Sequence, residues 1–138
     1  MKSFFNFLKR LFNTSNFQKI VAAKVVGMQK HPNADRLRII KLDVGDRVVE
    51  PVVCGAFNFD VGDMVALALP GAGITQNIHS DGHEPFVLQK AKIRGIESQA
   101  MICSAFELGL GQLSEKPEIL VLKPSITPGS QFSPTMLQ

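Results

Sequence analysis

From Ile20 onward the apolar residues come in short β-branched runs, each closed off by a cluster of glycine, proline, asparagine or aspartate. Nothing else in the chain constrains its fold as much, because runs of about four to nine residues with turn signals between them make strands rather than helices. "IVAAKVVGM" (20–28) gives way to "HPNAD", "RLRIIKLDV" (36–44) to "GDR", and "VVEPVVCGA" (48–56) to "NFDVGD". The poor alternation of 36–44 suggests a strand buried on both faces. Pro51 confines its own run to an edge, a bulge or a break between two pieces. A short strand at 64–69 leaves through Pro70–Gly73 into a polar loop at 75–85. Strand-like segments at 86–95 and 98–106, one helical turn in "FELGLG" and a last strand at 118–124 complete the pattern. The architecture that follows is all-β, and a five-stranded Greek-key barrel with an extra loop accounts for it most economically.

One stretch has helical spacing instead. Phe4, Phe5, Leu8, Leu11 and Phe12 share a face, with Lys2, Lys9 and Arg10 around the rest of the wheel, and "NTSN" ends the pattern. A short amphipathic helix over residues 1–18 is predicted, then a β domain over 19–124 and a Pro/Ser-rich tail over 125–138. The helix region holds five of the ten phenylalanines, Phe4, Phe5, Phe7, Phe12 and Phe17. So much apolar area suits docking onto the domain or onto a second copy as a homodimer; adsorption to a membrane surface is the lesser alternative.

Charge is mild in total and uneven in placement. The 138 residues carry a formal net charge of +3. Cations are frequent from Lys19 to Arg47, absent from Cys54 to Leu88, and return together as Lys90, Lys92 and Arg94. Two basic segments thus flank an acidic middle, which makes one basic face if the fold joins them. The only cysteines, Cys54 and Cys103, lie in apolar runs. Buried free thiols fit a reducing, cytoplasmic setting better than a disulfide framework. No apolar run reaches the roughly eighteen residues of a transmembrane helix, and the N-terminus lacks the features of a signal peptide.

Catalytic and metal chemistry find little support. His79 and His83 fall in a loop with Asp81 and Gly82, and no paired cysteine knuckle accompanies them, so neither a metal nor another cofactor is expected. Ser98, Ser104 and both cysteines lie outside any G-x-S-x-G elbow, and no phosphate-cradling G-x-x-x-x-G-K-[ST] occurs. Clustered Lys and Arg can neutralise phosphates whatever the nucleotide sequence. With no Trp or Tyr in the chain, base stacking would fall to Phe, His or Arg planes, which favours reading a structured RNA by shape and backbone.

Two stretches go further than pattern. "HPNADRLRIIKLDVG" (31–45) and "KAKIRGIESQAMICS" (90–104) resemble the signature segments of the tRNA-binding domain family. "VVCGAFNFDVGDMVALALPGA" (52–72) and "CSAFELGL" (103–110) are similar to the branch found near the N-terminus of phenylalanyl-tRNA synthetase β subunits. The resemblance implies an OB-fold barrel, without catalytic activity of its own, that contacts tRNA by shape and phosphate and works alone or beside a synthetase. It places His31, Pro32, Asn33, Ala34 and Asp35 in a loop after the first strand, with Arg36 and Arg38 continuing from it. Lys92, Arg94, Gly95, Ser98 and Met101 come from the strand and turn alongside. Contacts to RNA are expected from Lys30, Arg36, Arg38, Lys90, Lys92 and Arg94, with Asn33 and Ser98 as hydrogen-bonding partners. His31, Pro32, Asp35, Gly95 and Met101 belong to the motif. Structural roles stand beside these: Asp35 capping a turn, Pro32 fixing its φ, Gly95 allowing a φ closed to other residues, and Met101 filling core. The synthetase subunits are far longer, so a free-standing domain or a fragment is expected. A protein-interaction or chaperone-like module with little RNA affinity is the competing reading.

Overall fold

The computed structural model describes residues 14–138. The helix expected over 1–18 lies almost wholly outside them, as does any homodimer contact it would make. A 3-10 turn, Thr14–Phe17, leads into the β domain.

Ten strands follow: β1 Ile20–Lys30, β2 Arg38–Asp43, β3 Val48–Cys54, β4 Met64–Ala68, β5 Gly73–Ile74, β6 Phe86–Val87, β7 Ala91–Ile93, β8 Ile96–Ser98, β9 Met101–Ile102 and β10 Val121–Leu122. The main sheet runs β10–β4–β1–β2–β3, with β9 also on β4, and every pair is antiparallel. Separate two-stranded ladders join β5 to β6 and β7 to β8. The fold is all-β. Its main sheet is not closed by a continuous ladder, because β3 pairs only with β2.

Hydrogen bonds nevertheless bridge from β3 to the end of β8 and the residue that follows it. Gln99 N–H donates to Pro51 O at 2.9 Å, and Val53 N–H donates to Ser98 Oγ at 2.9 Å. Pro51 falls where the β2–β3 register shifts, on the outermost strand of the path, as its missing donor requires.

Burial corrects one expectation and explains another feature. β2 is buried on one face only: Ile40 and Leu42 point inward while Lys41 is exposed. The strand covered on both faces is β4, all five of whose residues are buried. Val65 and Leu67 join one core cluster with Val25, Ile40, Leu42 and Val52. Met64, Ala66 and Ala68 join a second with Phe17, Ile20, Leu88 and Phe132. A strand between two apolar layers needs no polar face, hence "MVALA".

The expected helical turn in "FELGLG" is a run of tight turns, with Leu108 N–H bonded to Ala105 O and Gly109 N–H to Phe106 O. The expected strand at 118–124 reduces to β10. The C-terminal segment is integrated with the sheet. Where β2 stops pairing with β1 at Lys24, Ala22 N–H donates to Ser130 O, Gly129 N–H to Ala22 O and Phe132 N–H to Ile20 O, at 2.7–2.9 Å. Phe132 is fully buried and meets Phe17 edge-on at 5.1 Å. No helix among the described residues is long and apolar enough to cross a membrane.

Candidate nucleic-acid interface

β7 and β8 form a hairpin closed by the two-residue turn Arg94-Gly95, both with positive φ (+51° and +92°). Left-handed backbone at both central positions is the type I′ turn, whose twist matches that of the flanking strands. Glycine suits the second position for its φ and not for space, since a Cβ there would come no closer than 3.6 Å to Asn33 Nδ2. A strand continuing through 92–94 would carry Lys92 and Arg94 on one face. Instead the strand ends at Ile93, Lys92 lies opposite Glu97, and Arg94 is carried exposed at the tip.

The loop 31–37 is locked to that tip by His31, which is 1% exposed. Its Nδ1 accepts Asn33 N–H at 3.0 Å, so the ring proton sits on Nε2, which donates to Ile93 O at 3.1 Å. Asn33 Nδ2 donates to Arg94 O at 3.3 Å. The fold thus brings together the two motifs that lie 62 residues apart at the His31–Ile93 bond. The ring both shapes its own loop and fastens it to the hairpin.

The other singled-out residues divide by position. Lys30, Arg36, Lys90, Lys92 and Arg94 are exposed. Lys30 meets Asp35 at 3.6 Å, a solvated pair that leaves both groups available. Among the described residues Arg36, Lys90, Lys92 and Arg94 make no ion pair. Pro32 is exposed at the loop's start, and Met101, half-buried, packs against the second core cluster.

Ser98 and Arg38 face inward. Ser98 is buried; besides accepting from Val53 N–H, its hydroxyl donates to Ala100 O at 2.8 Å. Arg38 Nη1 donates to Met28 Sδ, and Nη2 donates to Ala56 O and Phe59 O at 3.0 and 3.2 Å. Its Cζ lies 4.6 Å from the Phe57 ring centroid and 4.7 Å from that of Phe59. Sequence reasoning passed over Phe57 and Phe59; "FNF" with its arginine about twenty positions earlier gives no local sign of a cation–π clamp.

Among the described residues no cluster of His, Cys, Asp and Glu has the makings of a metal site. Burial pushes both thiols above their ordinary range, Cys103 furthest, which leaves them protonated and unreactive. Burial also raises Glu107, against the lowering effect of Ser104, whose N–H and hydroxyl both donate to Glu107 Oε1.

Known proteins resemble this chain in sequence over most of its length. The family described as "Putative tRNA binding domain" matches residues 20–131. The phenylalanine–tRNA ligase β subunit of Chlamydia pneumoniae is 41% identical over 122 residues, covering 88% of this chain and 15% of the subunit. That of Wolinella succinogenes is 43% identical over 108 residues, 78% of this chain and 12% of the subunit. That of Chlorobaculum tepidum is 46% identical over 93 residues, 67% and 11% respectively. The chain therefore spans only a small fraction of the curated relatives it matches. With residues 20–131 of its 138 inside the match, the chain belongs to the tRNA-binding domain family.

Proposed function

We propose that this chain binds structured tRNA, by shape and phosphate contacts, through the rim formed by loop 31–37 and the β7–β8 hairpin. The observation that carries the reading is the His31 latch, which holds Arg36 and Arg94 on adjoining segments. Lys30, Lys90 and Lys92 complete a set of five exposed cations. Ser98 and Arg38 serve this rim from behind, the first by tying the end of β8 to β3, the second by fixing residues 56–59. The sheet order, together with the Ser98 and Gln99 bonds to β3, supports an OB-fold barrel as the scaffold, whose sheet face and flanking loops bind nucleic acid. The relatives' names support a place beside a phenylalanine–tRNA ligase, with tRNA as the shared partner.

Five phosphate contacts would give a log–log salt slope of about −4, at roughly 0.7–0.9 per contact. Titration of several tRNAs against salt tests this. The double variant K92E/R94E should lose most of the affinity and lower the slope by about 2. Equal binding of wild type and variant, or a slope near zero, would refute the reading in favour of a protein-interaction module.

A further inference from the structure

Phe57 is 55% exposed, whereas every other phenylalanine among the described residues is buried or half-buried. An aromatic ring left in water at the tip of a loose loop would need no comment. This one is held rigidly. The amide of Asn58 pairs reciprocally with the backbone of Ile119, donating to its carbonyl at 2.9 Å and accepting from its N–H at 3.0 Å. Arg38 Nη2 bonds the carbonyls on both sides of Phe57, those of Ala56 and Phe59. The same guanidinium lies against the Phe57 ring, with Phe59 also packed on it.

The place of this pedestal matters as much as its stiffness. Gly55 lies against Leu37 and the Arg36 carbonyl; a Cβ there would come within 3.3 Å of Leu37 Cδ2 and 3.6 Å of Arg36 O. Loop 31–37 therefore has the basic hairpin tip at one end and the segment bearing Phe57 at the other. The guanidinium of Arg38 lies against the ring and the polar Asn58 follows it, while Phe59 is buried on the same guanidinium. A protein-docking anchor sits in an apolar patch. An exposed ring backed by a guanidinium, on a segment packed against the basic loop 31–37, suits a ligand with an apolar π-face and an anionic backbone.

We infer that Phe57 is a stacking platform for one unpaired nucleobase of the bound RNA. This rests on the proposed tRNA binding and adds a contact of a different kind. Stacking accepts any base, because every base has a π-face, and it needs that base unpaired. Base–aromatic stacking is worth ~1–3 kcal/mol by alanine substitution, so Phe57→Ala should weaken tRNA binding on the order of tenfold. Carrying no charge, Phe57 contributes nothing to counterion release, so the salt slope should stay that of the wild type.

The chain contains no Trp or Tyr, so Phe57→Trp would be its only tryptophan. It should recover the affinity lost in Phe57→Ala, and its emission should be quenched by tRNA but not by a blunt RNA duplex without unpaired bases. Duplex affinity should be the same for Phe57→Ala and wild type. If wild type binds tRNA and Phe57→Ala binds equally well, the stacking inference is overturned while the tRNA reading stands. If wild type binds no RNA at all, both fall. A Phe57→Ala variant that loses self-association in sedimentation but keeps RNA affinity would assign the ring to a protein contact, and that too overturns the inference.

Discussion

Replacing His31 with alanine tests whether the two motifs act as one unit. The imidazole is 1% exposed and bonds two backbone groups, Asn33 N–H and Ile93 O, the second of which also closes the hairpin turn. Each hydrogen bond is worth about 0.5–1.5 kcal/mol net, and a buried group left without a partner costs about 1–3 kcal/mol. Truncating a buried ring also leaves a cavity, so a total of about 2–4 kcal/mol is expected. That is a large share of the roughly 5–15 kcal/mol that keeps a domain folded. Urea unfolding followed by far-UV circular dichroism suits a chain without Trp or Tyr. The same variant should bind tRNA about tenfold more weakly, because Arg36 and Arg94 would have to be ordered on binding instead of beforehand. A stability change under about 0.5 kcal/mol together with wild-type affinity would refute the latch, since no buried bond removed at a binding rim should be that silent.

Two more substitutions separate stability from binding. Arg94 occupies the first central position of a type I′ turn, where a left-handed backbone disfavours arginine by about 1 kcal/mol and favours asparagine. Arg94→Asn should therefore raise the urea midpoint while weakening tRNA binding and reducing the salt slope by about 1; loss of stability would show that Arg94 is held by contacts other than those of the turn. Glu107→Gln addresses pH. Burial raises the folded-state value of Glu107 above its ordinary 4.5, so its contribution is most favourable below that point and declines as pH rises through the folded value. The stability of wild type relative to Glu107→Gln should fall between acidic and neutral pH, and a parallel pair of stability–pH curves would contradict the burial argument.

Much of the fold could be read from the chain because turn chemistry is local. Gly95, the HPNAD turn and Pro51 each declare a backbone constraint within a few residues, and strand boundaries follow from such constraints. Which strand lies between two apolar layers is not local. "RIIKLD" and "MVALA" differ by whether a second layer covers the outer face, and that layer comes from Phe17, Leu88 and Phe132, far apart in sequence. The candidate site shows the same division. The cations of both motifs were visible as residue types, and five of the six are exposed. The inward turn of Arg38 was not visible, because it depends on carbonyls some twenty positions away and on two phenylalanine rings. Ser98 likewise reads as a free hydroxyl until the neighbouring β3 supplies Val53 N–H.

The pairing of residues 129–132 with β1 bears on where this domain can be cut. Punctuation alone suggests a boundary at Pro124, where the last strand gives out and Pro/Ser-rich sequence begins. Cutting there would remove Phe132 from between Phe17 and the inner residues of β1, and would leave Ile20 O and Ala22 N–H and C=O without their partners. A bare strand edge beside an opened apolar layer is the kind of surface on which chains pair with one another. A shortened version meant for expression should therefore keep the chain at least through Phe132, or it will be selecting for aggregation before any tRNA is added.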